Sequence, residues 1–266
     1  MQRIDRRQLL RYGKMGLLAA LGGSITSQWL PAQAQTSSQV DPGLVVRWLG
    51  HTCFLFAGEG QKFLVNPFRP IGCTAGYKPP REMVDLVLVS SRLLDEGSYE
   101  ELPGNPRVLQ ESGAYEFRGK AIQGIRTIHD REGGRRFGIN IAWTWAQAGI
   151  KIVHLGGAAA PITAEQQILM GRPDLLLIPV GGGPKAYNAE EAKQVIQTLN
   201  PKLIIPTHYR TQAAAPNACD IEPVDEFLTV MSGAANIEKV NSDSISLTPA
   251  DLPQTGRLIK TLSYKF

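Results

Sequence analysis

The chain carries four histidines, and where they stand is the first clue to chemistry. His129 and His208 each close a short apolar run that reads as a strand and open a loop, the place where a rigid scaffold presents reactive side chains. Both are candidate catalytic and pocket residues. His51 follows Gly50 at another strand boundary and is read either as a pocket residue or as a buried, hydrogen-bonded imidazole. His154 lies inside an apolar run and reads as core. Asp95 and Glu96 are adjacent carboxylates at the predicted start of a helix, where an acid caps free N–H groups and opposes the helix dipole for about 1 kcal/mol. Ser91, Cys73 and Cys219 are conceivable nucleophiles with His129 or His208 as base. No G-x-S-x-G elbow or thiol-protease signature accompanies them, so that chemistry is set aside. Arg131, Arg135 and Arg136 cluster after His129 and suit either an anionic ligand or a solvated loop. Gly181-Gly182-Gly183-Pro184-Lys185 precedes a predicted helix but lacks the G-x-x-x-x-G-K-[ST] spacing, so a tight strand-to-helix loop accounts for it better than a phosphate cradle.

The elements that must position these side chains are short. Leu44–Leu49, Cys53–Ala57 and Lys62–Asn66 are β-branched or aromatic runs separated by turns. Val84–Ser90 is continuously apolar, as in a strand buried on both faces. A helix is predicted from Asp95 to about Leu102, stopped by Pro103-Gly104. Ala121–Ile128, Gly138–Gln147 and Lys151–His154 read as strands. Helix Thr163–Met170, strand Asp174–Val180, helix Ala189–Leu199 and strand Lys202–Pro206 follow. A helix near Val224–Met231 then leads to strands Ile237–Val240 and Ser244–Leu247. Ala189, Ala192, Val195, Ile196 and Leu199 fall on one helical face. Two runs of strands, each closed by strand–helix units, predict an α/β (α+β) fold in which two sheets pack face to face with helices outside, a four-layer αββα sandwich in one domain over 44–266.

The first 34 residues read differently. Asp5-Arg6-Arg7-Gln8-Leu9-Leu10-Arg11 resembles the twin-arginine export motif, a Gly-rich apolar stretch follows, and Pro31-Ala32-Gln33-Ala34 offers an A-x-A site with cleavage after Ala34. A Ser/Gln-rich linker covers 35–43. The leader contains Arg3, Arg6, Arg7, Arg11 and Lys14 against Asp5 alone, so its removal leaves 23 basic and 23 acidic residues. The basic pI therefore belongs to the leader, and no nucleic-acid partner is expected. No run approaches the roughly 18 apolar residues of a membrane span, so none is expected in the mature chain. The expected partner is the twin-arginine export machinery, and the expected destination the periplasm or a thylakoid lumen. In such an oxidising compartment one pair among Cys53, Cys73 and Cys219 can form a disulfide, although small buried hydrophobes are their commoner role.

Six segments, in order, resemble the metallo-β-lactamase superfamily and its ascorbate-lactonase-like branch of metal-dependent hydrolases. They are Trp48-Leu49-Gly50-His51-Thr52-Cys53-Phe54, Leu64-Val65-Asn66-Pro67-Phe68, Ile128-His129-Asp130, His154-Leu155-Gly156-Gly157, Leu177-Ile178-Pro179-Val180-Gly181-Gly182 and Ile205-Pro206-Thr207-His208-Tyr209. The resemblance implies the sandwich and a cluster of imidazoles and carboxylates holding one or two cations. The family's main ligand motif, T-H-x-H-x-D-H, falls on Ser90-Ser91-Arg92-Leu93-Leu94-Asp95-Glu96, so Ser91, Leu93 and Glu96 stand at histidine positions and Asp95 alone is kept. Gly157 stands where a bridging Asp is expected, and Asn66 replaces a supporting Asp. One family site is thereby reduced to His129, while Asp95, Glu96 and His208 remain for the other.

What the resemblance implies here is a single divalent metal (Mn, Fe or Zn) on at most Asp95, Glu96, His129 and His208, with no two-zinc centre. Asp95, His129 and His208 are the expected catalytic residues, in a pocket lined by His51, Ser91, Glu96, Gly157 and Arg136. The first functional reading is an exported protein whose remnant pocket serves binding or assembly, with a small-molecule ligand or a protein partner. The alternative is a hydrolase of a small ester, lactone or phosphoester with one metal at Asp95, Glu96 and His208.

Overall fold

Burial sorts the strands as the apolar patterning predicts. The computed structural model describes residues 43–215 and 217–266. The leader, its cleavage point at Ala34 and all of the linker but Gly43 lie outside the described residues. In the first half β1 (Leu44–Gly50), β2 (Cys53–Gly58) and β3 (Gln61–Val65) form an antiparallel meander. The continuous run at 84–90 yields β4 (Leu86–Leu88), buried at every residue and parallel to both β3 and β5 (Arg107–Leu109). Then come β6 (Gly113–Phe117), β7 (Lys120–Ile128), β8 (Ile139–Gln147) and β9 (Ile150–His154), an antiparallel series. Helix α1 (Ala164–Met170), β10 (Leu175–Pro179), α2 (Ala189–Leu199), β11 (Leu203–Thr207) and α3 (Val224–Met231) are strand–helix units. The described chain ends with β12 (Asn236–Lys239), β13 (Ser244–Leu247) and β14 (Leu258–Thr261).

Among the described residues these strands make two sheets, ordered β13-β1-β2-β3-β4-β5 and β12-β14-β11-β10-β9-β8-β7-β6. Phe54, Phe56 and Phe63 from one meet Trp143, Trp145 and Ile152 from the other, with Phe56 edge-on to Trp145 at 4.9 Å. Full burial of such side chains contributes roughly 1.5–3 kcal/mol each. Helix α2 buries the predicted stripe Ala189, Ala192, Val195, Ile196 and Leu199, and starts at a capping box in which Asn188 and Glu191 each accept the other's backbone N–H. Two sheets flanked by helices give the αββα sandwich.

Two local expectations change. The segment 95–102 is a series of turns instead of a helix. Its donors go elsewhere: Glu96 N–H to Leu93 O and Ser98 N–H to Pro67 O. Gly97 packs so tightly on the preceding loop that a Cβ would lie 2.0 Å from Ser91 O. Strands β5, β6 and β14 were not read from sequence. Each is short, and β6 is the edge of its sheet, where periodicity is weakest. The clearest local signal there was Arg118-Gly119, both at positive φ, the two-residue turn joining β6 to β7. Cys73 and Cys219 form a disulfide, and Cys53 is free and buried in the core.

Candidate metal centre

Strand direction gathers the histidines. β1, β3 and β4 run parallel in one sheet, as do β7, β9, β10 and β11 in the other. His51 follows the C-terminal end of β1, His129 that of β7, Gly157 that of β9, Gly181 that of β10 and His208 that of β11. Cross-sheet bonds join these ends: Ile141 N–H donates to Ser90 O at 2.7 Å, and Trp143 Nε1–H to Val89 O at 3.2 Å. His51 and His208 both adopt left-handed backbone, φ +52° and +51°, which turns each chain sharply off its strand. Gly181 admits this crowding, since a Cβ there would lie 2.2 Å from His208 O.

The Glu96 carboxylate sits in the middle. Its Oε2 accepts from His129 Nε2 at 3.0 Å and from Ser91 Oγ at 3.1 Å. Its Oε1 faces His208 Nε2 at 3.3 Å, near enough for charge attraction but off the direction of a hydrogen bond. The rings of His51 and His208 lie 4.2 Å apart. Among the described residues, His51, Glu96 and His208 form the one group of three donors within 4.8 Å of one another that could hold a metal ion, and all three are buried. Both nitrogens of His51, both of His208 and Glu96 Oε1 have no hydrogen-bond partner. An unmet buried polar atom costs about 1–3 kcal/mol, and these three residues carry five of them. A cation bound by one nitrogen of each imidazole and by the carboxylate would satisfy three of these five atoms, and that donor set suits Mn, Fe or Zn. The residues fit one metal. A two-zinc centre would need more imidazoles, where Ser91 and Leu93 stand.

The electrostatics favour an ionised Glu96 carboxylate and a neutral His51 ring. Burial opposes the charge on Glu96, but His129, His208 and the Lys185 ammonium outweigh it and hold this carboxyl well below the ordinary range. Burial drives the His51 imidazole well below its usual value, and the charges of His208 and Lys185 push the same way. Lys185 reaches this region from the Gly-rich loop and pairs with Asp95.

The expected residues separate accordingly. Glu96, His129, His208, His51 and Ser91 come together. Asp95 points to Lys185 and is not in the donor group; His51 completes it instead. His129 supports Glu96 through the second carboxyl oxygen. Gly157 adjoins both, since a Cβ on it would lie 2.4 Å from His129 Nε2. Arg136 is exposed, its guanidinium 4.9 Å above the Phe137 ring. Arg131 is committed to Glu191 and to the carbonyls of Gly183 and Ala186. Asn66 Oδ1 accepts from Ser90 N–H at 2.8 Å, steadying the loop that leads to Glu96. His154 is a satisfied core histidine, Nε2 donating to Thr52 O and Nδ1 accepting from Gly156 N–H. Asn140 and Lys185 join the site without a sequence motif that marks them for it. Buried Asn140 bridges Thr127, Leu155 and Gly157 from the face of β8 opposite Ile141, Trp143 and Trp145. Nothing local in the Gly-rich loop shows that its lysine turns toward the histidines.

Residues 45–208 match the Beta-lactamase superfamily domain, and the chain belongs to that family of metallo-β-lactamase-fold, metal-dependent hydrolase relatives. A structure from Thermotoga maritima, proposed as a Zn-dependent hydrolase of the metallo-β-lactamase superfamily, is 32% identical and superposes with a TM-score of 0.66 over 82% of this chain and 98% of that one. A UPF0173 metal-dependent hydrolase of Thermococcus onnurineus is 26% identical over 223 residues, 72% of this chain and 94% of its own length. The isothiocyanate hydrolase from Delia radicum gut bacteria, 13% identical with a TM-score of 0.55 over 71% of this chain and 92% of that one, shares the fold.

Proposed function

We propose that the chain is a hydrolase working with one divalent cation held by His51, Glu96 and His208. The observation that carries this reading is that one unpartnered buried donor atom from each of those three residues lies within 4.8 Å of the other two. Relatives described as metal-dependent hydrolases support the reaction class. A bound cation would supply Lewis acidity toward a carbonyl or phosphoryl oxygen and a more acidic water. The chain's own residues set up the rest. His129 and Ser91 hold one oxygen of Glu96, which leaves the other free toward His208. His129 foremost, then His208 and the Lys185 charge, hold the carboxyl well below its ordinary range against the cost of burial. The substrate class is a small ester, lactone or phosphoester, as in the ascorbate-lactonase-like branch that the segments resemble.

A second reading, a binding or assembly protein, draws on the burial of the cluster: His51, Glu96, His129 and His208 are each at most 1% exposed. Elemental analysis of protein from its native compartment separates the two. The hydrolase reading expects about one equivalent of Mn, Fe or Zn, lost in His51→Ala and His208→Ala. Less than about 0.1 equivalent would sink it and leave the binding reading.

The same proposal places the mature protein in the periplasm or a thylakoid lumen, exported by the twin-arginine machinery. The motif at Arg6-Arg7 supports this, as does the Cys73–Cys219 disulfide, which persists in oxidising compartments. Mature protein starting at Gln35, and its loss from the lumen in Arg6→Lys/Arg7→Lys, are the expected results. An intact leader on the active protein would refute export.

A further inference from the structure

Two loops are strapped together beside His51 and His208. One runs through 69–77, after β3, and the other through 209–222, after β11. Gly76 N–H donates to Ala213 O at 2.7 Å, and Ala215 N–H to Gly72 O at 2.9 Å. The Tyr77 and Thr211 hydroxyls lie 2.6 Å apart, and the Cys73–Cys219 disulfide closes the strap. Each loop is rooted next to a histidine. The Tyr77 ring packs on Gly50, where a Cβ would lie 2.6 Å from it, and Gly50 adjoins His51. Tyr209 follows His208, and its ring centroid is 5.5 Å from that of Trp48, whose Nε1–H donates to His51 O. His208 N–H also reaches His51 O, at 3.5 Å.

Apart from the disulfide the strap is weakly held. Ala75, Gly76, Gln212 and Ala218 are exposed, so water competes for the polar groups that join the loops. The covalent bond removes the freedom that two segments 146 residues apart would otherwise have. What it steadies is strained: His51 and His208 keep left-handed backbone, φ +52° and +51°, a conformation that persists where the surroundings over-determine it. Cys73 and Cys219 are only half-buried, within reach of a reductant.

From this geometry we infer that the Cys73–Cys219 disulfide is a redox clasp on His51 and His208. Closed, it fixes the spacing of the two rings; opened, it lets them part and release a bound cation. The inference rests on the metal reading of that cluster and adds regulation to it. A dithiol reductant opens the clasp by exchange. The Cys73–Cys219 S–S bond breaks, one forms within the dithiol, and the dithiol's two protons pass to the cysteines. The test compares oxidised full chain with chain reduced by a phosphine, which takes oxygen from water while the cysteines take its two protons. Zn²⁺ affinity is measured by competition with a chromophoric chelator, and amide exchange on the same preparations. Reduction is expected to weaken Zn²⁺ binding about tenfold or more, the usual loss when the support of a metal ligand is removed. Exchange at Gly76, Ala215 and His208 is expected to accelerate while amides paired between β7 and β8 stay protected. Cys73→Ser/Cys219→Ser should match the reduced chain and ignore the phosphine, which excludes the freed thiols as ligands. Reduction acts on folded protein, so the test stands even if that variant does not accumulate. Equal Zn²⁺ affinity in both forms sinks the clasp and leaves the metal centre. Unchanged His208 exchange, protection lost throughout β7 and β8, or a double variant as tight as the oxidised chain also overturns the clasp. No Zn²⁺ bound by either form, with His208 exchange accelerated on reduction, sinks the metal centre and leaves the clasp.

Discussion

The Glu96 carboxylate fills the space that a side chain on residue 157 would occupy. A Cβ on Gly157 would lie 2.8 and 2.9 Å from its two oxygens. A glycine at 157 therefore leaves the room that the Glu96 carboxylate takes.

That pairing predicts strong coupling. Gly157→Asp and Glu96→Ala alone should each lose metal and lower thermal stability, the first by clash and like charge, the second by leaving His129 without its partner. The double variant restores one carboxylate in the same space and relieves the contact with Glu96, while the His129 ring, 2.4 Å from the new Cβ, must still shift. A double-mutant cycle in stability should show a favourable interaction of about 1–3 kcal/mol. Additive losses would mean the two positions are independent.

His154 predicts a pH dependence with a defined sign. Burial holds its imidazole down to about 4, against an ordinary value near 6.5. Between those values the unfolded chain carries the proton and the native chain does not. Stability attributable to this group is therefore complete above about pH 6.5, falls as the pH drops, and stops falling below about 4, a total near 3 kcal/mol. His154→Gln keeps a donor and an acceptor for Thr52 and Gly156 without titrating. The difference between wild type and variant in urea denaturation, measured from pH 7.5 to 4, should show this slope.

Asp130 holds the loop after His129. Its carboxylate accepts from the backbone N–H of Glu132, Gly134, Arg136 and Phe137, bonds that bring its pKa down to about 2. Its contribution is present above the unfolded carboxyl's value of about 3.9 and lost as the pH falls through about 2. Asp130→Ala should abolish protection of those four amides in hydrogen exchange at neutral pH while β7 and β8 stay protected. Unchanged exchange would show that the loop holds itself.

The Cys73–Cys219 bond closes a sequence separation of 146 residues and ties a turn after β3 to the loop following His208. Cys73→Ser/Cys219→Ser should lower stability by about 2–5 kcal/mol, and reducing agent should lower wild type as much while leaving the variant unmoved. Buried Cys53 should resist thiol reagents in the native state, since burial raises its thiol well above the usual range.

Sequence alone determined the layers. Periodicity and continuous apolar runs report which faces are buried, and that local property placed β1–β4, β7–β11 and the stripe of α2. It also marked His129 and His208, because a polar residue ending an apolar run stands at a strand end whatever lies around it. Short edge strands β5 and β6 carry too few residues for a period, and only their partners' backbone groups make them strands. The turns at 95–102 were likewise decided by distant acceptors such as Pro67 O. Tertiary structure decided the ligand set. His51 and His208 are 157 positions apart in the sequence, and their rings meet because parallel strands in two facing sheets end at the same edge. Asp95 and Glu96 are neighbours in sequence, yet one pairs with Lys185 and the other enters the cluster, since successive side chains leave the backbone in different directions. Spacing could name the acids; only the folded loops could say which one faces the histidines.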